Sequence, residues 1–153
     1  MTCALRAGAN EIIHSHLCRA YPEEGCGVLL GRDQDGARVV ERAIPLDNVQ
    51  GETRERRYLL APEQVLAAER EARSAGLDVV GFFHSHPDHP AIPSAFDLEH
   101  AWPFYTYLIV SVRGGAVADA NAWRLAEDRS RFEPMGLIAL EDGAAVSRTG
   151  ARR

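Results

Sequence analysis

Two histidines separated by one serine follow a short apolar segment in the middle of the chain. The segment Val79–Phe83 is rich in β-branched and aromatic residues and is bounded by turn-forming residues, which is typical of a buried strand. His84 and His86 come directly after it, and alternate residues of an extended chain point to the same side. Both imidazoles can therefore face one point and bind a metal ion there.

A carboxylate follows this pair at a spacing that lets it reach the same point. Prolines stiffen the connecting segment 87–93 and exclude a helix there. Asp97 comes 11 residues after His86, which is enough chain to double back. Two histidines and one carboxylate with an open fourth position form the ligand set of a catalytic zinc site. The segment Ser94–Asp97 is predicted to be the first turn of a short helix, and taken alone its Ser-x-x-Asp spacing more commonly marks a helix capping box.

The same three letters occur earlier in the chain, in His14-Ser15-His16. Apolar residues surround this copy at helical spacing, namely Ile12, Ile13, Leu17 and Ala20. Side chains two residues apart in a helix diverge by about 200°. This pair cannot bind one ion from a helix, so we predict a structural role for it.

Length and composition indicate one domain in residues 1–141, followed by a flexible tail in 142–153. The 153 residues, with 46% hydrophobic and 25% charged content, are ordinary for a globular protein. The net charge of -5 argues against nucleic acid as a partner. No signal peptide or apolar run of about 18 residues is present, so no membrane association is predicted. Three cysteines without disulfide spacing favour the cytoplasm.

The pattern along the chain mixes strands and helices and predicts an α/β (α+β) fold. An amphipathic helix is predicted at Asn10–Ala20 with Asn10 as its N-cap, and a second begins at Pro62 and ends at Gly76. Strands are predicted at 2–7, 23–31, 39–46, 79–83, 105–112, 116–125 and 132–140. Segments 23–31 and 39–46 are expected to pair antiparallel, and 47–57 to form a surface loop.

A hydrolytic zinc site also needs a carboxylate that is not a ligand, to take a proton from water and give it to the leaving amine. Glu23 and Glu24 are the candidates, because they begin a strand that can lie beside the histidine strand. A solvated pair of loop charges is the commoner meaning of such residues. From the residues alone both interpretations stay open. Cys26 is interpreted as a small core residue, not as a nucleophile or ligand.

These motifs together resemble the JAMM (MPN+) zinc metalloprotease family, and most of all its small stand-alone prokaryotic members. The motifs are Pro22-x-Glu24-x-Cys26-Gly27, Leu29-x-Gly31, His84-Ser85-His86-Pro87, Ser94 and Asp97. The similarity extends to Pro45-Leu46-x-Asn48, Tyr58, Pro62-Glu63, the segment Gly76–Gly81 and the strand Tyr107–Ser111. It covers residues 3–140, and the combined pattern is specific because it is complete.

The resemblance implies a role for each matching residue. His84, His86 and Asp97 would bind one zinc ion per chain, with water as the fourth ligand. Glu24 would be the general acid/base, and Ser94 would hydrogen-bond the developing oxyanion. The implied architecture is the MPN/JAMM (cytidine-deaminase-like) fold, a curved, mixed, mostly antiparallel sheet flanked by helices.

The resemblance also implies a substrate class. It points to a peptidase or isopeptidase that cuts after the C-terminal Gly-Gly of a ubiquitin-like protein, preferably a ThiS/MoaD-type sulfur carrier that releases an amino acid such as cysteine. The tail is expected to add as a strand to an exposed sheet edge. Two alternatives are a non-catalytic MPN scaffold, whose known examples lack metal ligands, and a phage-tail or cell-wall JAMM metallopeptidase. The oligomeric state is left open.

Overall fold

A computed structural model describes residues 1–48 and 60–146 of the chain. Within these ranges the elements are β1 (Thr2–Arg6), α1 (Ala7–Ala20), β2 (Cys26–Gln34), β3 (Ala37–Leu46), α2 (Pro62–Ser74), β4 (Asp78–Pro87), α3 (Ala95–His100), β5 (Thr106–Arg113), β6 (Ala116–Leu125) and β7 (Phe132–Leu140). The loop predicted at 47–57 lies, from residue 49 onward, outside the described residues. No helix in the described ranges is both long enough and apolar enough to cross a membrane.

The strands close into a barrel in the order β1-β3-β2-β4-β5-β6-β7, and β7 pairs back onto β1. The pairs β2–β3, β2–β4, β5–β6 and β6–β7 are antiparallel, whereas β1–β3, β1–β7 and β4–β5 are parallel. The predicted curved, mixed, mostly antiparallel sheet is confirmed. Its closure was not predicted, because the pairing of β1 with β7 joins the two ends of the sequence.

Closure leaves little free strand edge. Every strand of the barrel has two neighbouring strands. Among the described residues, the ladder between β3 and β1 ends at Val40, so the segment 42–46 of β3 pairs with β2 alone. An incoming tail that adds to a sheet edge, as expected, could therefore pair only along short stretches of this kind.

Helix α1 packs on one face of the strands. Its Ile13 and Leu17 are fully buried in a cluster with Leu29, Phe83 and Leu108. The helix is amphipathic as predicted, and burial of this apolar stripe supplies most of its stability.

The start of α1 differs from the prediction. The helix begins at Ala7, so the N-cap predicted at Asn10 is wrong, and Arg6 at the cap position makes no side-chain capping bond. Instead, the Asp142 carboxylate accepts the backbone N–H of Gly8 at 3.1 Å. An acceptor far away in sequence thus satisfies one of the unpaired N–H groups of the first turn.

Helix α2 packs on the opposite face of β2 and β4. Its Ala68 and Ala72 are buried against Val28 and Leu30. Pro62 occupies the first turn as predicted, and Gly76, with φ of +71°, follows the end of the helix.

The segment predicted as a flexible tail begins on the barrel. Val146 is buried in a cluster with Ala4 and Val39, and Arg6 donates hydrogen bonds to the carbonyls of Glu141 and Ala144. Residues 142–146 therefore contact the domain, and residues 147–153 lie outside the described part of the chain.

Candidate active site

The histidine pair lies at the end of β4, between two neighbouring strands. His84 stands opposite Cys26 of β2 and Ile109 of β5 in the ladder. The Nε2 atoms of His84 and His86 lie 3.2 Å apart, and both side chains are buried. The strand pleat thus points both rings at one place, as the spacing predicts.

Helix α3 brings the carboxylate to the same place. Ser94 is its N-cap and forms a capping box with Asp97: the hydroxyl oxygen accepts the Asp97 N–H at 3.0 Å, and Asp97 Oδ2 accepts the Ser94 N–H at 2.8 Å. Asp97 Oδ2 also lies 3.1 Å from His86 Nε2, and Oδ1 lies 3.3 Å from His84 Nε2. The capping box therefore orients the carboxylate towards the imidazoles.

These contacts fit a zinc ion. The two Nε2 atoms lie 3.2 Å apart, and each faces a different oxygen of Asp97, Oδ2 for His86 at 3.1 Å and Oδ1 for His84 at 3.3 Å. Ligand atoms placed tetrahedrally at zinc bond lengths are about 3.3 Å apart. In addition, His86 Nδ1 donates to the Pro90 carbonyl at 2.9 Å, which directs the Nε2 lone pair of that ring towards the metal position.

The electrostatics of the cluster also suit a cation. Burial raises the pKa of Asp97, but His84, His86 and the Ser94 N–H outweigh burial and lower it well below its usual range. Burial lowers the pKa of His84, so this imidazole favours its neutral form. Burial also lowers the pKa of His86, but its contacts with Asp97 outweigh that effect and raise it. A carboxylate anion therefore faces imidazole nitrogens, which is a donor set for a metal ion.

Glu24 completes the cluster from the segment between α1 and β2. Its side chain is only 3% exposed, so the interpretation of Glu24 as a solvated loop charge is wrong. One of its carboxylate oxygens lies within 4.8 Å of nitrogens of both His84 and His86. Glu23 is half-buried and does not belong to this group of potential ligands.

Cys26 sits beside the site without taking part in it. Burial, followed by the nearby Glu24 and Asp47 charges, raises the pKa of its thiol to about 12. At neutral pH the side chain is therefore a neutral thiol, which is a poor nucleophile, and it does not belong to the group of potential metal ligands formed by Glu24, His84 and His86. This agrees with the interpretation of Cys26 as a core residue.

The loop between His86 and Ser94 is held by hydrogen bonds to three consecutive carbonyls. Ser111 Oγ donates to the His89 carbonyl at 2.7 Å, and His86 Nδ1 donates to the Pro90 carbonyl at 2.9 Å. Asn121 Nδ2 and Trp123 Nε1 both donate to the Ala91 carbonyl at 3.2 Å. Sequence reasoning did not find Ser111 or Asn121, because nothing in the local pattern identifies a hydrogen-bond acceptor more than 20 residues away.

Two recesses flank the cluster. On the Glu24 side the recess is lined by Glu24, His86, Pro87, His89, Pro90 and Ser94. On the other side an apolar cavity of about 270 Å³ touches His84 and Asp97 and is lined mainly by aromatic rings, including Phe82, Phe96, Trp102 and Tyr107. Trp102 is 61% exposed and contributes to the lining of this cavity. Phe82 could have been found, since it lies two residues before His84 on the same strand face.

The chain matches, over residues 6–126, the family described as prokaryotic homologs of the JAB domain. It belongs to this family. The resemblance to the JAMM metalloproteases is therefore confirmed, and this JAB-domain protein is a metallopeptidase of the JAMM type.

Relatives of this JAB-domain protein include a desampylase from Haloferax volcanii, 45% identical over 75% of this chain and 84% of the relative. A probable TtuB-protein conjugate cleaving protease from Thermus thermophilus is 37% identical over 70% of this chain and 68% of the relative. A CysO-cysteine peptidase from Mycobacterium tuberculosis is 30% identical over 88% of this chain and 90% of the relative.

Solved structures share the fold of this chain. A protein from Desulfitobacterium hafniense superimposes with a TM-score of 0.80 and 31% identity, over 92% of this chain and 94% of that protein. A JAB1/MPN domain protein from Archaeoglobus fulgidus has a TM-score of 0.56 and 19% identity, over 90% of this chain and 99% of that one, which shows the shared fold alone.

Proposed function

We propose that this JAB-domain protein is a zinc peptidase that hydrolyses the bond after the C-terminal Gly-Gly of a ubiquitin-like sulfur carrier. The observation that carries the proposal is the convergence of His84, His86 and Asp97 on one point beside the buried Glu24. The names of the relatives support the substrate class, since they describe cleavage of TtuB–protein conjugates and of CysO–cysteine.

His84, His86 and Asp97 would hold one zinc ion per chain, with water as the fourth ligand. Asp97 is assigned as the carboxylate ligand in preference to Glu24, because its two oxygens contact both Nε2 atoms and the Ser94 N–H fixes its orientation. Bound zinc would lower the pKa of a water molecule to about 7 and polarise the scissile carbonyl.

Glu24 would act as general acid/base. A buried carboxylate within 4.8 Å of the ligand nitrogens is close enough to accept a proton from the attacking water. The same carboxyl group would then give that proton to the departing amine, so that the amine leaves as a neutral group.

Ser94 would stabilise negative charge that develops on the carbonyl oxygen. Its hydroxyl oxygen already accepts the Asp97 N–H, which leaves the hydroxyl hydrogen able to donate. The residue is exposed in the recess that also contains Glu24 and His86, where a substrate carbonyl can reach it.

The recess favours a substrate without side chains at the scissile bond. Pro87, Pro90, Ser94 and Glu24 all line it. Glycine fits such a slot, and an extended Gly-Gly tail can be held by its backbone. The cytoplasm is the proposed compartment, since Cys3, Cys18 and Cys26 are all free thiols.

The test uses a folded carrier that bears an extra amino acid after Gly-Gly. Mass spectrometry should show cleavage after the second glycine, and a chelator should abolish it. Replacing that glycine by valine should slow cleavage at least about tenfold, which corresponds to about 1.4 kcal/mol in the barrier. Equal rates on the adduct, on the valine variant and on an unstructured peptide would contradict the substrate assignment and leave an unassigned zinc peptidase.

The two alternative functions make different predictions in this assay. A non-catalytic scaffold would release no amino acid from any carrier. A cell-wall peptidase would cleave peptidoglycan peptides faster than the carrier adduct. The complete donor set and the peptidase relatives argue against the scaffold.

A further inference from the structure

Glu24 is held in place without belonging to a helix or a strand. Helix α1 ends at Ala20 and β2 begins at Cys26, so the carboxylate projects from the short connection between them. The side chain is nevertheless almost fully buried beside the histidines. A loop residue in so defined a place needs contacts that fix its backbone.

Ser85 makes two such contacts from between the histidines. Its backbone N–H donates to the Gly25 carbonyl at 3.0 Å, and its hydroxyl oxygen accepts the Gly25 N–H at 2.9 Å. The serine is fully buried, and it points to the face of β4 opposite to the imidazoles. The hydroxyl therefore extends the β2–β4 ladder by one residue beyond the pair Cys26 and His84, up to the peptide that follows Glu24.

Asn48, two residues after the end of β3, fixes the same segment. Its side-chain Nδ2 donates to the Glu24 carbonyl at 3.0 Å. Both side chains thus bond the Glu24–Gly25 peptide, Ser85 at its N–H and Asn48 at its carbonyl. Neither Ser85 nor Asn48 belongs to the group of potential metal ligands.

Helix α1 packs tightly against Gly25 on the side away from β4. A Cβ atom added to Gly25 would lie 2.8 Å from Leu17 Cδ2 and 2.9 Å from the Ala20 Cβ. Real Cβ atoms do not approach so closely, and the methyl group of Ala20 cannot rotate away. Gly25 is therefore enclosed between α1 and β4. The remaining small shifts of the Glu24 backbone are restricted by the hydrogen bonds that Ser85 and Asn48 make with the Glu24–Gly25 peptide.

We propose that Ser85 and Asn48 are positioning residues, which act through the Glu24–Gly25 peptide to place the Glu24 carboxylate for proton transfer. Ser85 thereby links the general acid/base to the same strand that presents the two histidines, so that ligands and base keep a constant relative position. The inference rests on the acid/base role proposed for Glu24.

The first test compares Ser85→Ala and Asn48→Ala with the unmodified protein. Each variant should bind zinc in the normal amount, and kcat should fall about tenfold to a hundredfold, which is the cost of misplacing a catalytic group by about 1 Å. KM should change by less than about twofold, because only the reacting geometry is affected. Asn48→Ala keeps the test valid if Ser85→Ala does not fold, because Asn48 is only half-buried.

Thr106→Val is the matched control. It removes another fully buried hydroxyl, but at the start of β5, opposite Gly81 and away from the histidines. It should lower stability without lowering kcat. An equal drop in kcat for Thr106→Val and Ser85→Ala would overturn the positioning role, because general destabilisation would then explain both.

A double-substitution comparison separates this inference from the proposed function. Ser85→Ala should have little further effect on residual activity in the Glu24→Gln background, since the group that it positions is already inactive. The same loss in both backgrounds would overturn the inference. Full activity of Glu24→Gln alone would instead overturn the acid/base assignment.

Amide hydrogen exchange of the metal-free protein gives a readout that does not depend on activity. Ser85→Ala should speed exchange at the Gly25 amide, whose acceptor is lost, while the Val28 amide inside the β2 ladder keeps its rate. Unchanged exchange at Gly25 would show that the hydroxyl does not hold this segment.

Discussion

The sequence His-Ser-His occurs twice in this protein, once in helix α1 and once at the end of strand β4, and only the strand copy forms a site. In β4 the two Nε2 atoms lie 3.2 Å apart and face Asp97. In α1 the ring of His16 donates from Nε2 to the Cys26 carbonyl at 3.1 Å and packs edge-on against Phe83. Through His16 the helical copy thus joins α1 to the barrel, which agrees with the structural role predicted for this pair.

The difference between the two copies comes from backbone geometry and from the partners that surround them. A strand turns alternate side chains to one side, whereas a helix separates them by about 200°. The serines differ in the same way, because Ser85 is fully buried and bonded to Gly25, while Ser15 is exposed. Identical residues therefore have different roles according to the element that contains them.

The largest effect should come from removing a ligand of the strand copy. His84→Ala and Asp97→Ala should reduce bound zinc from about one ion per chain to nearly none, because three protein ligands are the minimum for a catalytic zinc site. Elemental analysis of the purified protein measures this. His14→Ala and His16→Ala are the controls and should keep the metal. Full occupancy in both ligand variants would place the metal site elsewhere.

The next effect separates catalysis from metal binding. Glu24→Gln should keep zinc and fold but lose about 10²- to 10⁴-fold in kcat, because an amide cannot accept the proton of water. Steady-state kinetics on the carrier adduct measures the loss. Glu23→Gln is the neighbouring control and should be nearly silent. If the two phenotypes were exchanged, the assignment of the glutamate would be off by one residue.

A smaller effect should come from the loop that supports the strand copy and has no counterpart at the helical copy. Ser111→Ala removes the hydrogen bond to the His89 carbonyl, next to the Pro90 carbonyl that orients His86. Zinc affinity, measured by competition with a chelator, should weaken about threefold to tenfold, below the range for direct partners of a ligand. Ser130→Ala, at an exposed serine, should bind zinc normally, and an equal loss in both variants would contradict the loop's role.

The smallest effect should come from the helical copy itself. His16→Ala removes the hydrogen bond to Cys26 and should cost about 1 kcal/mol of the free energy of unfolding. A thermal melt should show this as a decrease of about 2–4 °C in Tm. Zinc content and kcat should stay normal, and the exposed Ser15→Ala should change neither stability nor activity. Loss of zinc in His16→Ala would mean that the helical copy contributes to the site.

Much of the fold follows from local patterns. The strands at 116–125 and 132–140, the first turn of α2 at Pro62 and the helix that begins after Ser94 lie where the sequence predicts them. Alternation, proline and capping residues act within a few positions, so they are visible in the chain. The start of α1 was missed because its first turn is capped by Asp142, which no local pattern connects to Gly8.

The sequence by itself determined the chemistry that this protein can perform. It placed His84 and His86 on one side of a strand and Asp97 in the first turn of a helix 11 residues later, and both placements follow from local backbone periods. Only the tertiary structure decided that the Glu24 carboxylate is buried beside them, where Ser85 and Asn48 form hydrogen bonds with the Glu24–Gly25 peptide. It also decided that the sheet closes into a barrel and keeps little free edge. These contacts join residues from 24 to more than 100 positions apart, and chain folding, not local conformational preference, brings such residues together.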